Sequence, residues 1–130
     1  SGLRKFLIKL KSFPVVMVIA SNSNINYIQK MLGSLSITKF FDGIITPNKL
    51  VKPKPNPDMF NIIAKKYSVK NEDCLVIEDS LPGIIATKKA GMFSVGLTTT
   101  LAPSDLHMAD IISKNYIELY SKLSFAQSIN

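Results

Sequence analysis

The sequence predicts an α/β fold built on a parallel sheet with helices on both faces. Three observations carry that expectation. Short apolar runs rich in β-branched residues alternate with segments of helical periodicity. The first run is continuous rather than alternating, as in strands covered on both faces. Polar or acidic residues follow three of the runs, at the strand ends where open parallel sheets bind ligands.

The elements follow in order. Leu3, Phe6, Leu7 and Leu10 recur at helical spacing with lysines between them, which predicts a helix over 3–11. Val15 to Ala20 predicts a strand buried on both faces, and Ser21-Asn22-Ser23-Asn24 a polar loop ending in good helix caps. Ile25 to Leu32 reads as a helix, with Gly33 as its stop. Phe41 to Ile45 reads as a second strand. Lys52-Pro53-Lys54-Pro55-Asn56-Pro57 is a rigid loop, because each proline fixes φ and removes a donor. Asn56 caps the next helix, with Pro57 at its first position and Phe60, Ile63, Ala64 and Tyr67 on one face. Leu75 to Ile77 is a third strand, ending in Glu78-Asp79. Ser80 caps a helix that carries Pro82 in its first turn and ends at Gly91. Phe93 to Leu97 is a fourth strand. A helical turn over 103–108, an apolar Ile111-Ile112 and a helix over 116–123 complete the chain.

The 130 residues make one domain, and a hydrophobic share of 46% argues against disorder. No apolar run reaches the roughly 18 residues of a membrane span; Phe13 to Ala20 is the longest clean one. Cys74 is the single cysteine, so no internal disulfide forms, which fits a reducing cytoplasm. It reads as a buried, inert thiol. The formal charge is +7, but the lysines are scattered and Arg4 is the sole arginine, which argues against nucleic acid as a partner. The chain starts at Ser1 rather than Met, so the expected origin is a tag, a cleavage or a deletion.

A hydroxyl (Ser21), an ammonium (Lys54) and two carboxylates (Glu78, Asp79) follow successive strands and would gather at one rim. Ser21 and the N–H groups opening the next helix can hold phosphate oxygens. Lys54 can offset developing negative charge. The acidic pair can offer oxygens to Mg²⁺. Each residue has a plainer reading: Ser21 as a cap, Lys54 as a solvated loop lysine, Glu78-Asp79 as acids at a helix start. Asp58 reads as a first-turn acid favoured by the helix dipole.

Val18-Ile19-Ala20-Ser21-Asn22-Ser23 resembles the second motif of the haloacid dehalogenase (HAD) superfamily. Lys52-Pro53-Lys54-Pro55-Asn56-Pro57-Asp58-Met59-Phe60 resembles its third motif. Val76-Ile77-Glu78-Asp79-Ser80-Leu81-Pro82-Gly83-Ile84, with Ala90-Gly91-Met92, resembles its fourth. The style is that of the β-phosphoglucomutase-like and phosphoglycolate-phosphatase-like branch, over about 2–97 of the chain. The resemblance implies a Rossmann-like core, and a phosphatase or phosphomutase acting on a small phosphorylated metabolite through an aspartyl-phosphate. It implies that Ser21 binds the transferring phosphoryl group, helped by the Asn22 N–H. Lys54 would bridge that group and the nucleophile. Glu78 and Asp79 would hold Mg²⁺, and the helix from Asn24 through Gln29 would start behind the phosphate.

The family's first motif, Asp-x-Asp, is absent from the sequence. The expectation is therefore a partial core domain over 1–130, lacking the family's first strand, its nucleophilic aspartate and its substrate-selecting cap. Such a chain would be inactive alone and would bind Mg²⁺ weakly. The family's first strand lies between the strands that here carry Ser21 and Glu78-Asp79. The resulting gap is expected to close by direct pairing of those two strands, or by a strand from a partner chain or a homodimer. Three other readings stay open. One is a non-catalytic phosphate-binding or regulatory remnant completed by a partner. Another is a nucleic-acid module, resting on charge alone. The last is a receiver-like domain, for which no acidic phosphoacceptor cluster is found.

Overall fold

The computed structural model describes residues 2–99 and 103–129; Ser1 lies outside them. The chain runs α1 (Leu3–Lys11), β1 (Val18–Ala20), α2 (Ile25–Ser34), β2 (Gly43–Ile45), α3 (Asp58–Lys66), β3 (Leu75–Glu78), α4 (Leu81–Lys89), β4 (Phe93–Leu97), β5 (Ile111–Ser113) and α5 (Tyr116–Ile129). Short 3₁₀ turns lie at Thr38–Phe40, Asn71–Asp73 and Pro103–Met108.

All the strand pairing among the described residues is parallel. β1 pairs with β2, Val18 opposite Gly43. β3 pairs with β4, Leu75 opposite Phe93, and β4 with β5, Val95 opposite Ile111. Neighbouring strand residues face opposite layers. Ala20 and Val76 pack on Phe60, Ala64, Ala86, Ala90 and Met92, the layer of α3 and α4. Ile19 faces the other layer, packing with Leu7 of α1 and with Ile28 and Leu32 of α2. Ile77 faces that layer too, against Phe6 and Leu119 of α1 and α5. Helices therefore cover both faces, as the alternation of elements predicts.

Direct pairing between β1 and β3, one of the two closures expected from the sequence, does not form: among the described strands the order is β1-β2 and β3-β4-β5. Helices span the two sheets instead. Leu10 of α1 packs into the cluster that holds Ile19 and also into the one that holds Ile77. On the opposite face a single cluster touches both Ala20 and Val76. The strands are thus joined through their side chains, and β1 and β3 each keep one edge without a ladder partner among the described residues.

Several boundaries differ from the sequence expectation, each for a local reason. β1 begins at Val18, and Val15 and Val16 are 41% and 49% exposed, so this run is not buried on both faces. β2 begins at Gly43 because Thr38–Phe40 takes a 3₁₀ turn before it. α2 runs through Gly33. It stops where Ser36 takes φ 56°, with Ser36 N–H donating to Gly33 O and Ile37 N–H to Leu32 O. That is the left-handed helix stop usually given to glycine. α3 ends the same way at Ser68 (φ 55°), and α4 at Gly91 (φ 69°) as expected. α3 starts one residue late, with Pro57 as the N-cap residue and Asn56 Oδ1 accepting from Asp58 N–H at 3.0 Å. No helix among the described residues is long and apolar enough to cross a membrane.

Candidate functional site

The loops after β1, β2 and β3 meet at the carboxyl ends of the strands. Ser21 closes β1: its N–H donates to Ile45 O at 3.1 Å, continuing the ladder with β2. Its Oγ accepts from Ser23 N–H at 3.1 Å, which bends the chain toward α2. Asn24 then caps α2 by accepting from Asn26 N–H at 2.8 Å. The Ser21 hydroxyl proton stays available to an acceptor beyond the strand end.

The route from β2 to the proline loop is held by side chains. Asn48 Oδ1 accepts from Leu50 N–H at 2.8 Å and from Val51 N–H at 2.9 Å. Asp58 Oδ2 accepts from Lys52 N–H at 3.1 Å. Asp58 thus stands in the first turn of α3, as expected, and also ties that helix to the loop it leaves.

Lys54 is the centre of the site. Its Nζ lies 2.5 Å from Glu78 Oε1, with the two side chains 10% and 9% exposed. The Phe60 ring stands 5.8 Å from the same ammonium. Ser80 Oγ donates to the second Glu78 oxygen at 3.5 Å, and also accepts from Gly83 N–H at 3.3 Å to cap α4. A Cβ on Gly83 would lie 2.1 Å from the Glu78 carboxylate, so only glycine leaves room for it. Burial pushes the Glu78 carboxyl above the usual glutamate range, against the opposing pull of the Lys54 charge.

Asp79 is exposed at the end of β3. Burial first, and then the Asp79 charge, push the Tyr116 phenol of α5 up. Among the described residues no three His, Cys, Asp or Glu side chains converge on one point. Magnesium asks for near-octahedral oxygen ligation. Glu78 already faces Lys54 and Ser80, so the Glu78-Asp79 pair does not by itself make such a shell.

The structure thus joins Lys54 to Glu78 directly, and joins the Ser21-Asn22 loop to Lys54 through the Asn22 side chain. The expectation from the sequence for Asn22 is a backbone role alone. Two further carboxylates hold elements together. Asp42 Oδ2 accepts from Met17 N–H at 2.8 Å beside the β1–β2 ladder. Asp110 Oδ2 accepts from Ser94 N–H at 2.8 Å and from Ser94 Oγ at 3.0 Å. Acids at such long separations carry no sequence signal. Cys74 is half-buried, and burial and the neighbouring Asp73 push its thiol up, which leaves it a poor nucleophile.

The family model described as haloacid dehalogenase-like hydrolase matches residues 1–97. The chain is 40% identical over 96 residues to β-phosphoglucomutase of Bacillus subtilis (strain 168), covering 74% of this chain and 42% of that protein. It is 30% identical over 118 residues to validoxylamine A 7'-phosphate phosphatase of Streptomyces hygroscopicus subsp. limoneus, covering 91% and 55%. A HAD family hydrolase from Deinococcus radiodurans R1, solved with bound phosphate and sodium, superposes with a TM-score of 0.87 at 26% identity, covering 98% of this chain and 59% of that one. β-Phosphoglucomutase from Clostridium difficile gives a TM-score of 0.81 at 31% identity, covering 98% and 56%. The chain spans about half the length of the curated relatives it matches.

Proposed function

The chain belongs to the haloacid dehalogenase-like hydrolase family, and on that premise we propose that it is the phosphoryl-holding part of a phosphatase or phosphomutase for a small phosphorylated metabolite. The observation that carries this reading is the Lys54–Glu78 pair at the strand ends, tied to the Ser21-Asn22 loop. A buried ammonium in that position stabilises charge developing on a transferring phosphoryl group. The Ser21 hydroxyl and the Asn22 N–H hold its oxygens in front of α2. Glu78 keeps the ammonium aimed. Two relatives whose names carry phosphate chemistry, and a similar structure with bound phosphate, support the substrate class.

The nucleophile is an aspartate outside these 130 residues. Its carboxylate oxygen bonds to phosphorus as the P–O bond to the substrate oxygen breaks; the leaving oxygen takes its proton from the second aspartic acid of the same Asp-x-Asp, and that aspartate later takes a proton from the water that attacks the acyl phosphate, freeing inorganic phosphate and the first aspartate. In the whole protein Asp79 would be one ligand of a magnesium ion that offsets phosphoryl charge, and the Glu78-Asp79 pair alone would hold it weakly. Residues 1–130 thus form a partial core domain.

The test is a phosphatase assay on a panel of small sugar and alcohol phosphates. The 130 residues alone give no turnover. A longer product of the same gene that carries an Asp-x-Asp gives turnover that falls when Lys54 becomes Ala. Robust hydrolysis by the 130 residues overturns the division of labour; a longer product indifferent to Lys54 overturns the site.

The open edges of β1 and β3 favour a second reading, a phosphate-binding remnant completed by a strand from a partner chain or a second copy. A concentration-dependent dimer with slowed amide exchange in β1 and β3 would favour it; a monomer at all concentrations would count against it.

A further inference from the structure

We propose that Asn22 is a positioning residue for Lys54, acting through the lysine's backbone; this deepens, and rests on, the phosphate-site reading above. Asn22 Nδ2 donates to Lys54 O at 3.1 Å, and Lys54 N–H donates to Asn22 Oδ1 at 2.9 Å. A primary amide carries a donor and an acceptor in one plane. It therefore pairs with the N–H and C=O of a single residue as a neighbouring strand would.

The surrounding sequence makes this pairing matter. Lys54 stands between Pro53 and Pro55. Prolines carry no N–H, so the Lys54 N–H is the single backbone donor of that tripeptide, and it goes to Asn22. The other hydrogen bonds to the loop's backbone N–H groups stay within its own neighbourhood, Asn56 N–H to Pro53 O and Lys52 N–H to Asp58, and Asn56 Oδ1 accepts from Asp58 N–H. None of these fixes the loop relative to β1. Asn22 does, across 32 residues of sequence.

The lysine is then held at both ends, by Asn22 at its backbone and by Glu78 at its ammonium. Asn22 itself is exposed, so core packing does not account for the arrangement. The amide sets where the lysine starts, and the carboxylate sets where it ends. Without the first, the four-carbon side chain no longer reaches the same point against Glu78.

The experiment compares Asn22→Ala and Asn22→Asp in the 130-residue chain. Asp keeps the acceptor for the Lys54 N–H and drops the donor. The first readout is the NMR contact between the Lys54 side-chain end and Glu78. The second is the affinity for inorganic phosphate, measured in the wild-type background and in a Lys54→Met/Glu78→Gln background. The expected result is loss of the contact in Asn22→Ala and partial loss in Asn22→Asp. Phosphate binding weakens roughly threefold to tenfold on Asn22→Ala, with no further change in the background that lacks Lys54. Should Asn22→Ala fail to fold, Asn22→Asp carries the same comparison. A Lys54–Glu78 contact that persists in the folded variants overturns the proposal. So does an equal loss of affinity in both backgrounds. If the wild-type chain binds no phosphate, the proposed function falls, while the Lys54–Glu78 contact still decides the role of Asn22.

Discussion

The Lys54 ammonium lies 2.5 Å from Oε1 of Glu78, joining a proline-loop lysine to the end of β3 with both side chains about nine-tenths buried. Removing one member of such a pair leaves the other charge without its partner and out of water. Lys54→Met alone is therefore expected to cost about 3–5 kcal/mol of stability. Adding Glu78→Gln to the same chain should recover most of that loss. Urea denaturation of the two single variants and the double variant measures the coupling. Additive effects would show that the two charges do not interact.

Two alanine substitutions should move stability in opposite directions. A Cβ at Gly83 meets the Glu78 carboxylate at 2.1 Å, whereas at Gly33 it meets nothing within 4 Å. Gly83→Ala must displace Glu78 or shift α4, and is expected to destabilise by about 1–3 kcal/mol. Gly33→Ala, inside α2, should stabilise by about 0.5–1 kcal/mol. Denaturation midpoints at constant slope distinguish the two signs.

Ser36 holds the left-handed turn that ends α2, at φ 56°. An L side chain pays roughly 1 kcal/mol in that region and glycine does not. Ser36→Gly is expected to stabilise by about 0.5 kcal/mol, the unfolded-state entropy of glycine offsetting part of the gain. A fall in the thermal midpoint would show that the serine is not strained there.

The Asp110 carboxyl is held below its usual range, first by the hydrogen bond from Ser94 N–H and then by Lys88, whose Nζ is 3.2 Å away. A depressed carboxylate contributes stability above the unfolded aspartate value, near ~4, and loses it as pH falls through the lower folded value. Asp110→Asn should therefore cost about 1 kcal/mol at neutral pH, allowing for solvent screening of this part-exposed group. The gap between variant and wild type should narrow as the pH falls below about 4. Urea midpoints across that range give the comparison, and a gap that does not change with pH would contradict it.

Much of the fold was legible because its signals are local. Apolar runs mark β3 and β4 closely, and the caps at Asn24 and Ser80 and the stop at Gly91 all lie where their residue types suggest. The stops at Ser36 and Ser68 were not legible, since serine has no preference of its own for the left-handed region both occupy. Val15 and Val16 illustrate the opposite error. A β-branched run favours extended chain, but burial depends on what packs against it, and here little does. At the site, the order of Ser21, Lys54 and Glu78-Asp79 along the chain was readable, and so was the meeting of Lys54 with Glu78. The Asn22 clasp and the Glu78–Gly83 contact were not, because both depend on side-chain geometry across separate elements.

The most direct test of the central claim is a phosphate titration of the 130-residue chain followed by the backbone amide resonances. A phosphoryl-holding rim predicts saturable shifts concentrated at Asn22, Ser23 and Lys54, which disappear in Lys54→Met/Glu78→Gln. Unsaturable shifts scattered over the surface lysines, unchanged in that variant, would contradict it.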